Sequence, residues 1–311
     1  MPSFTRRDFL QSGFAAAGLL GPSWMAQPMT AAQTSQTPPQ PATRPQPPPL
    51  PVSDTTRRYK KIDFHTHLGS TNPEVFKLER ENIPRACDYL LKRMEEFGVE
   101  KALLVPVEPL MKTEYYHEAH RLHPDRFLFA ASTTVRPLPQ ALDALKKWQE
   151  SGAVALKMNP ITYSAQDEAA ERLVVEAVRR NLPVLFHHTD FPPDIPQFIH
   201  HMAIRYPEGT YVVIHFGGNW GFQQVLPLAA DLANVYLETS SAFPNIVRSP
   251  LRNFLEYFDR AGARSGFHKV VFGSEYVDQY PRVLGAIEDL KLAPEVLANL
   301  YYENAKRILK I

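Results

Sequence analysis

The chain carries a single cysteine, Cys87, among its 311 residues. No internal disulfide can form, and a metal site built wholly of thiolates is excluded. An excess of either charge is also missing: 34 basic residues stand against 33 acidic ones. That balance argues against nucleic acid or an anionic membrane as a principal partner. No apolar run approaches the roughly 20 residues that a membrane-spanning helix needs. No glycine-rich phosphate loop follows the first strand-like segment, which weighs against a doubly wound dinucleotide fold. What the chain does have is a 44% hydrophobic composition, enough to bury a sizeable core. Cys87 falls in an amphipathic helical stretch, where a small buried core residue is expected.

The N-terminus reads as an address and a spacer. Thr5-Arg6-Arg7-Asp8-Phe9-Leu10 followed by GFAAAGLL is similar to a twin-arginine export signal, with paired arginines ahead of a modestly apolar segment. Residues 1–32 are expected to be removed near Thr30–Ala32, leaving a periplasmic protein without a stable membrane anchor, its export machinery a transient partner. Residues 33–56 are proline-dense, and proline fixes φ and removes a donor, so an extended linker is expected. The folded domain is then 57–311.

Chemistry-bearing residues recur at the ends of apolar runs. KIDFHTH places His65 and His67 two apart, and on a strand such a pair shares one face. Two neutral imidazoles converging from one strand begin a divalent-metal site. Alone the pattern is unspecific. Here PVLFHH (His187, His188), VVIHFGG (His215) and VVFGSEY (Glu275) each repeat the arrangement. By contrast His117, His120 and His123 fall on a helical stretch, where a solvated face is expected, and His200-His201 reads the same way.

From Tyr59 onward, eight β-rich apolar runs alternate with amphipathic stretches such as IPRACDYLLKRMEEFG and AAERLVVEAVRRN. Runs apolar on both faces indicate a parallel sheet covered by helices. Eight in strict β-then-α order indicate a closed (β/α)8 TIM barrel, whose active site lies at the C-terminal strand ends. Every suspected ligand sits at such an end.

IDFHTH, HPDRFLFAAS, ALKMNP, PVLFHH, VVIHFGG, VVFGSEY and the closing ENAKRIL together resemble the amidohydrolase-related (amidohydrolase 2) family of metal-dependent TIM-barrel enzymes. The resemblance spans Tyr59 to Ile311. It implies His65, His67, His187 and Glu275 as ligands of Zn2+ or Mn2+, with His187 preferred over His188. His215 is implied to stand beside the metal and to polarise or protonate substrate. Glu275 departs from the family's Asp by one methylene, and is expected to orient or deprotonate the attacking water. Lys157, ending the fourth strand, is assigned to substrate binding, with a carboxylated metal bridge or a structural pairing with Glu238 as alternatives. Arg136 is a candidate clamp for a substrate carboxylate, and Asp190 and Trp220 are candidate pocket residues. The implied activity is hydrolysis of a small ester, lactone or amide. Non-oxidative decarboxylation of an aromatic or unsaturated acid is the alternative, and a non-catalytic binding barrel a further one.

Overall fold

A computed structural model describes residues 52–71, 78–159, 163–164, 166–187, 194–240 and 268–311, except the side chains of 219 and 220. The predicted signal segment, most of the linker, His188, Asp190 and the Trp220 side chain lie outside the described residues. All eight expected strands form. They are β1 (Lys61–Thr66), β2 (Val99–Leu104), β3 (Phe127–Ser132), β4 (Ala155–Met158), β5 (Val184–His187), β6 (Tyr211–Ile214), β7 (Val235–Glu238) and β8 (Val270–Val271). They lie in one parallel sheet in chain order. Hydrogen bonds close the seam between first and last: Phe64 N–H to Phe272 O at 2.8 Å, Glu275 N–H to His65 O at 2.8 Å and His67 N–H to Glu275 O at 2.6 Å.

The helices are α1 (Asp54–Arg58), α2 (Ile83–Phe97), α3 (Thr113–Leu122), α4 (Leu138–Glu150), α5 (Glu168–Arg179), α6 (Ile195–Arg205), α7 (Gly218–Asp231), α8 (Tyr280–Glu288), α9 (Pro294–Ala298) and α10 (Asn304–Leu309). Local chemistry accounts for them. In α2, Ile83, Ala86, Cys87, Leu90, Met94 and Phe97 form one buried stripe, and Gly98 at φ 70° ends it in the left-handed region. In α5, Asp167 caps the first turn by accepting from Ala169 and Ala170 N–H. None of the described helices is long and apolar enough to cross a membrane.

The linker expected to run to residue 56 ends sooner. Helix α1 starts at Asp54 with Ser53 as its cap, Thr56 is buried and Ser53 N–H reaches Glu288 at 3.0 Å. Proline density had masked a Ser-Asp helix start.

Side-chain alternation divides the strand residues into two apolar layers. Val184, Phe186, Tyr211, Val213, Val235 and Leu237 join the layer shared with the helices. Ala155, Leu185, Val212, Ile214 and Val271 form a second, smaller layer. By the same alternation Lys157, His187 and Glu238 follow this second set, at its C-terminal edge.

Candidate active site

The strand ends bring the predicted histidines together. His65 and His67 have ring centroids 5.0 Å apart, His65 and His215 5.1 Å, and His187 and His215 4.7 Å. His65, His67 and His215 are buried. Burial holds both imidazoles of the β1 pair neutral, with the charge of Lys157 adding to the effect; His67 falls to about 3 although its bond to the Val105 carbonyl opposes this. Neutral imidazole is the form that ligates a metal.

The hydrogen bonds say which nitrogen is available. His67 Nδ1 lies 2.6 Å from the Val105 carbonyl, which can only accept, so Nδ1 carries the hydrogen and Nε2 the lone pair. His65 Nδ1 lies 2.8 Å from Ser240 Oγ and 3.3 Å from Glu238 Oε2. Its Nε2 is buried and has no hydrogen-bond partner among the described residues. An orphaned buried acceptor costs about 1–3 kcal/mol, and a cation at Nε2 would remove that penalty. A second partner holding the distal ring nitrogen is what a metal-bound histidine normally has. The residues therefore fit a divalent ion.

Among the described residues, the group whose donor atoms all lie within 4.8 Å of one another is His65, His215 and Glu238. Only His65 of the expected ligand set belongs to it. Ser240 Oγ, however, bonds to all three, at 2.8 Å, 3.0 Å and 2.6 Å. The atoms facing one another across the trio are thus engaged with a hydroxyl.

His187 differs from the β1 pair. Its Nδ1 faces Lys157 Nζ at 3.5 Å, a long contact whose donor follows the tautomer. Lys157 is fully buried; burial pushes it down to about 7, against the attraction of Glu238 and Glu275. Lys157 thus faces carboxylates and also stands among the histidines.

Glu275 is half-buried with φ 66°, and His215 and Phe216 also have positive φ, at 61° and 52°. Left-handed backbone in residues with side chains costs about 1–3 kcal/mol each and gathers where geometry serves function. The strand-exit bonds described above hold Glu275 in place. Asp63 reinforces them by accepting from the N–H groups of His65 and Ser274, both at 3.1 Å, and from Ser274 Oγ at 2.5 Å.

Two expectations fail. Arg136 does not present an open fork: its two terminal guanidinium nitrogens donate to the Asp167 carboxylate at the start of α5. Its bidentate geometry serves an internal carboxylate, as a correction to the substrate clamp. His117, His120 and His123 are half-buried, not solvated. His117 packs against Phe129 and Trp148, His123 against Phe127, and His120 Nδ1 bonds to the Phe127 carbonyl at 2.6 Å. Aromatic residues of β3 facing α3 provide the cover. His200 and His201 are exposed, as expected.

Glu238 and Ser240 were missed as members of the site. Glu238 is fully buried; burial pushes its carboxyl up to about 8, opposed by bonds from Ser240 and the His215 backbone. Gly273 makes room for it, since a Cβ there would lie 2.0 Å from Glu238 Oε1. A charged residue inside a barrel strand was the available signal.

Residues 62–311 match the family described as Amidohydro_2: Amidohydrolase. The fold resembles a probable 2-pyrone-4,6-dicarboxylic acid hydrolase from Acinetobacter baumannii with citric acid bound, at 15% identity and TM-score 0.58, over 81% of this chain and 99% of that one. It also resembles 5-carboxyvanillate decarboxylase from Novosphingobium aromaticivorans, complexed with manganese, at 13% identity and TM-score 0.58, over 85% and 99%. A third likeness is an amidohydrolase from Burkholderia multivorans with bound zinc, at 16% identity and TM-score 0.59, over 81% and 99%. Comparison with curated protein sequences finds no match.

Proposed function

The chain belongs to the amidohydrolase family, and from that premise we propose a metal-dependent hydrolase acting on a small polar ester, lactone or amide. The observation that carries this reading is the buried Nε2 of His65, which has no partner among the described residues and is backed at Nδ1 by Ser240 and Glu238. His65 and His67 would hold the ion through Nε2, with His187 and Glu275 completing the set. Zn2+ or Mn2+ suits these nitrogen and oxygen donors, and the structural relatives carry those metals. Bound there, the ion would polarise the scissile carbonyl and acidify water.

The chain's own groups do the rest. Glu275 orients a water molecule and takes its proton as the water attacks. The proton that Glu275 takes passes to His215 at Nε2, its Nδ1 being turned to Ser240, and from there to the leaving group. The imidazolium so formed is steadied by Glu238 through Ser240. Lys157 supplies positive charge for an anionic substrate group. That buried cation also favours a second reading, non-oxidative decarboxylation, in which Lys157 would help seat the carboxylate that is lost.

Metal analysis of purified protein, with a screen of esters, lactones, amides and carboxylated aromatics, separates these readings. About one divalent ion per chain is expected. Glu275→Gln should keep the fold and lose about 10²–10⁴-fold in kcat. Glu275→Asp then tells whether the extra methylene is tolerated or required. Wild-type kcat/KM and metal content in Glu275→Gln would remove Glu275 from the site and this mechanism with it.

Residues 1–32 further support a reading of twin-arginine export to the periplasm. Replacing Arg6 and Arg7 with lysine should leave unprocessed precursor inside the cell. Processed protein in the periplasm of that variant would refute the export route.

A further inference from the structure

The Ser240 hydroxyl is the point at which the site's hydrogen bonds meet. Oγ lies 2.8 Å from His65 Nδ1, 3.0 Å from His215 Nδ1 and 2.6 Å from Glu238 Oε2. Ser240, His65 and Glu238 are fully buried, so water does not share these contacts freely.

Proton placement follows from the partners. A hydroxyl has one hydrogen and two lone pairs. Backbone N–H groups, which can only donate, point at both Glu238 oxygens: Ser240's at Oε1 and His215's at Oε2, the latter at 3.3 Å. Both oxygens therefore act as acceptors, and the hydroxyl hydrogen goes to Oε2. Both lone pairs of Oγ are then left for Nδ1–H donors. Contacts that bypass the hydroxyl agree. His65 Nδ1 also faces Glu238 Oε2, and His215 Nδ1 faces the Ser240 carbonyl at 3.3 Å; neither oxygen donates.

We propose that Ser240 is a positioning residue that sets two tautomers at once, holding the ring hydrogens of His65 and His215 on Nδ1. Each ring then carries its lone pair on Nε2, one for ligation and one for proton transfer. The carboxylate behind the hydroxyl is itself fixed, because Gly273 alone admits it so close. The consequence for metal binding rests on the reading proposed above, whereas the tautomers do not.

The test uses full-length protein carrying 15N-labelled histidine, with long-range 1H–15N spectra assigned through His65→Ala and His215→Ala. Near neutral pH both rings should show a protonated Nδ1 and an unprotonated Nε2, and the His65 Nε2 signal should move when Zn2+ is added. Ser240→Ala should give mixed tautomers and bind Zn2+ about 10–100-fold more weakly. Ser240→Thr, which keeps the hydroxyl, should restore both properties. A wild-type spectrum with Nε2–H on either ring overturns the proposal whatever the variants do. Unchanged tautomers and Zn2+ affinity in Ser240→Ala overturn it as well. Fixed tautomers lost in Ser240→Ala, in a chain that binds no Zn2+, uphold the positioning role and overturn the metal-dependent reading instead.

Discussion

Two lysines in this barrel are equally buried and are pushed down to about 7 by that burial, yet they are held in opposite ways. Lys61, at the N-terminal end of β1, donates to the carbonyls of Thr56, Tyr59 and Phe97 at 2.5, 2.7 and 3.0 Å. Three donors meet three acceptors, supplied where α1 and α2 end and helix dipoles are negative. The ammonium also lies 5.1 Å from the Tyr301 ring. Lys269, just before β8, repeats the device with the carbonyls of Leu232, Ala233 and Val235 at 2.7, 2.9 and 3.1 Å. Lys157, at the C-terminal end of β4, has one long contact to His187 among the described residues and carboxylates nearby. Backbone carbonyls satisfy one cation completely; side chains of a site leave the other with donors to spare. Burial alone therefore does not distinguish a structural lysine from a functional one, whereas the identity of the acceptors does.

The comparison breaks first at Lys157. Lys157→Met removes an under-satisfied buried cation, so kcat/KM should fall by about 10²-fold or more, as for loss of one electrostatic group in a dry site. Stability should hold or rise, because an incompletely compensated charge is replaced by a side chain that packs. Steady-state kinetics beside thermal unfolding would check both. A variant that unfolds readily while its folded fraction turns over normally would make Lys157 a structural residue like Lys61.

Lys61→Met should do the reverse. Its three carbonyls would lose charged donors deep in the bottom of the barrel, at about 3 kcal/mol net once relief of burial is included. Urea unfolding should show that loss with the slope unchanged. Folded Lys61→Met should keep wild-type kcat/KM, since β1 separates the residue from His65 and His67. A KM or kcat defect in fully folded variant would tie the two ends of the barrel together.

What the sequence made legible follows the same divide. All eight strands could be read, because period, length and β-branched composition coincide in runs such as YVVIHF and KVVFGS. So could His65, His67, His215 and Glu275 as strand-end groups. The Glu238–Ser240 hub could not, because a lone carboxylate and a serine two residues on carry no ligand spacing, and what assembles them with β1 and β6 is barrel closure. Arg136 was misassigned because a bidentate fork looks alike in sequence whether its carboxylate is internal or a substrate's. The orientation of His187 was equally hidden, since it depends on where Lys157 lies one strand away.

The smallest effect concerns the carboxylate that ties the loops beyond His67 and Glu275. Asp278 Oδ2 accepts from Ser70 Oγ at 2.7 Å and from Thr71 N–H at 2.9 Å, while Oδ1 accepts from the Tyr89 hydroxyl. Burial would raise its pKa, but these donors prevail and hold the carboxyl below its ordinary 3.8. A carboxylate with a depressed folded pKa contributes stability that is complete above the unfolded value and lost as pH falls through the folded one. Asp278 is only partly buried, so the contribution at pH 7 should be about 1 kcal/mol. Asp278→Asn should show that deficit at pH 7, and the gap to wild type should narrow below about pH 4. Urea midpoints at pH 7, 5 and 3.5 would measure it. A deficit that stays constant across that range would mean that the side chain acts by shape and not by charge, leaving the link between β1 and β8 without an electrostatic part.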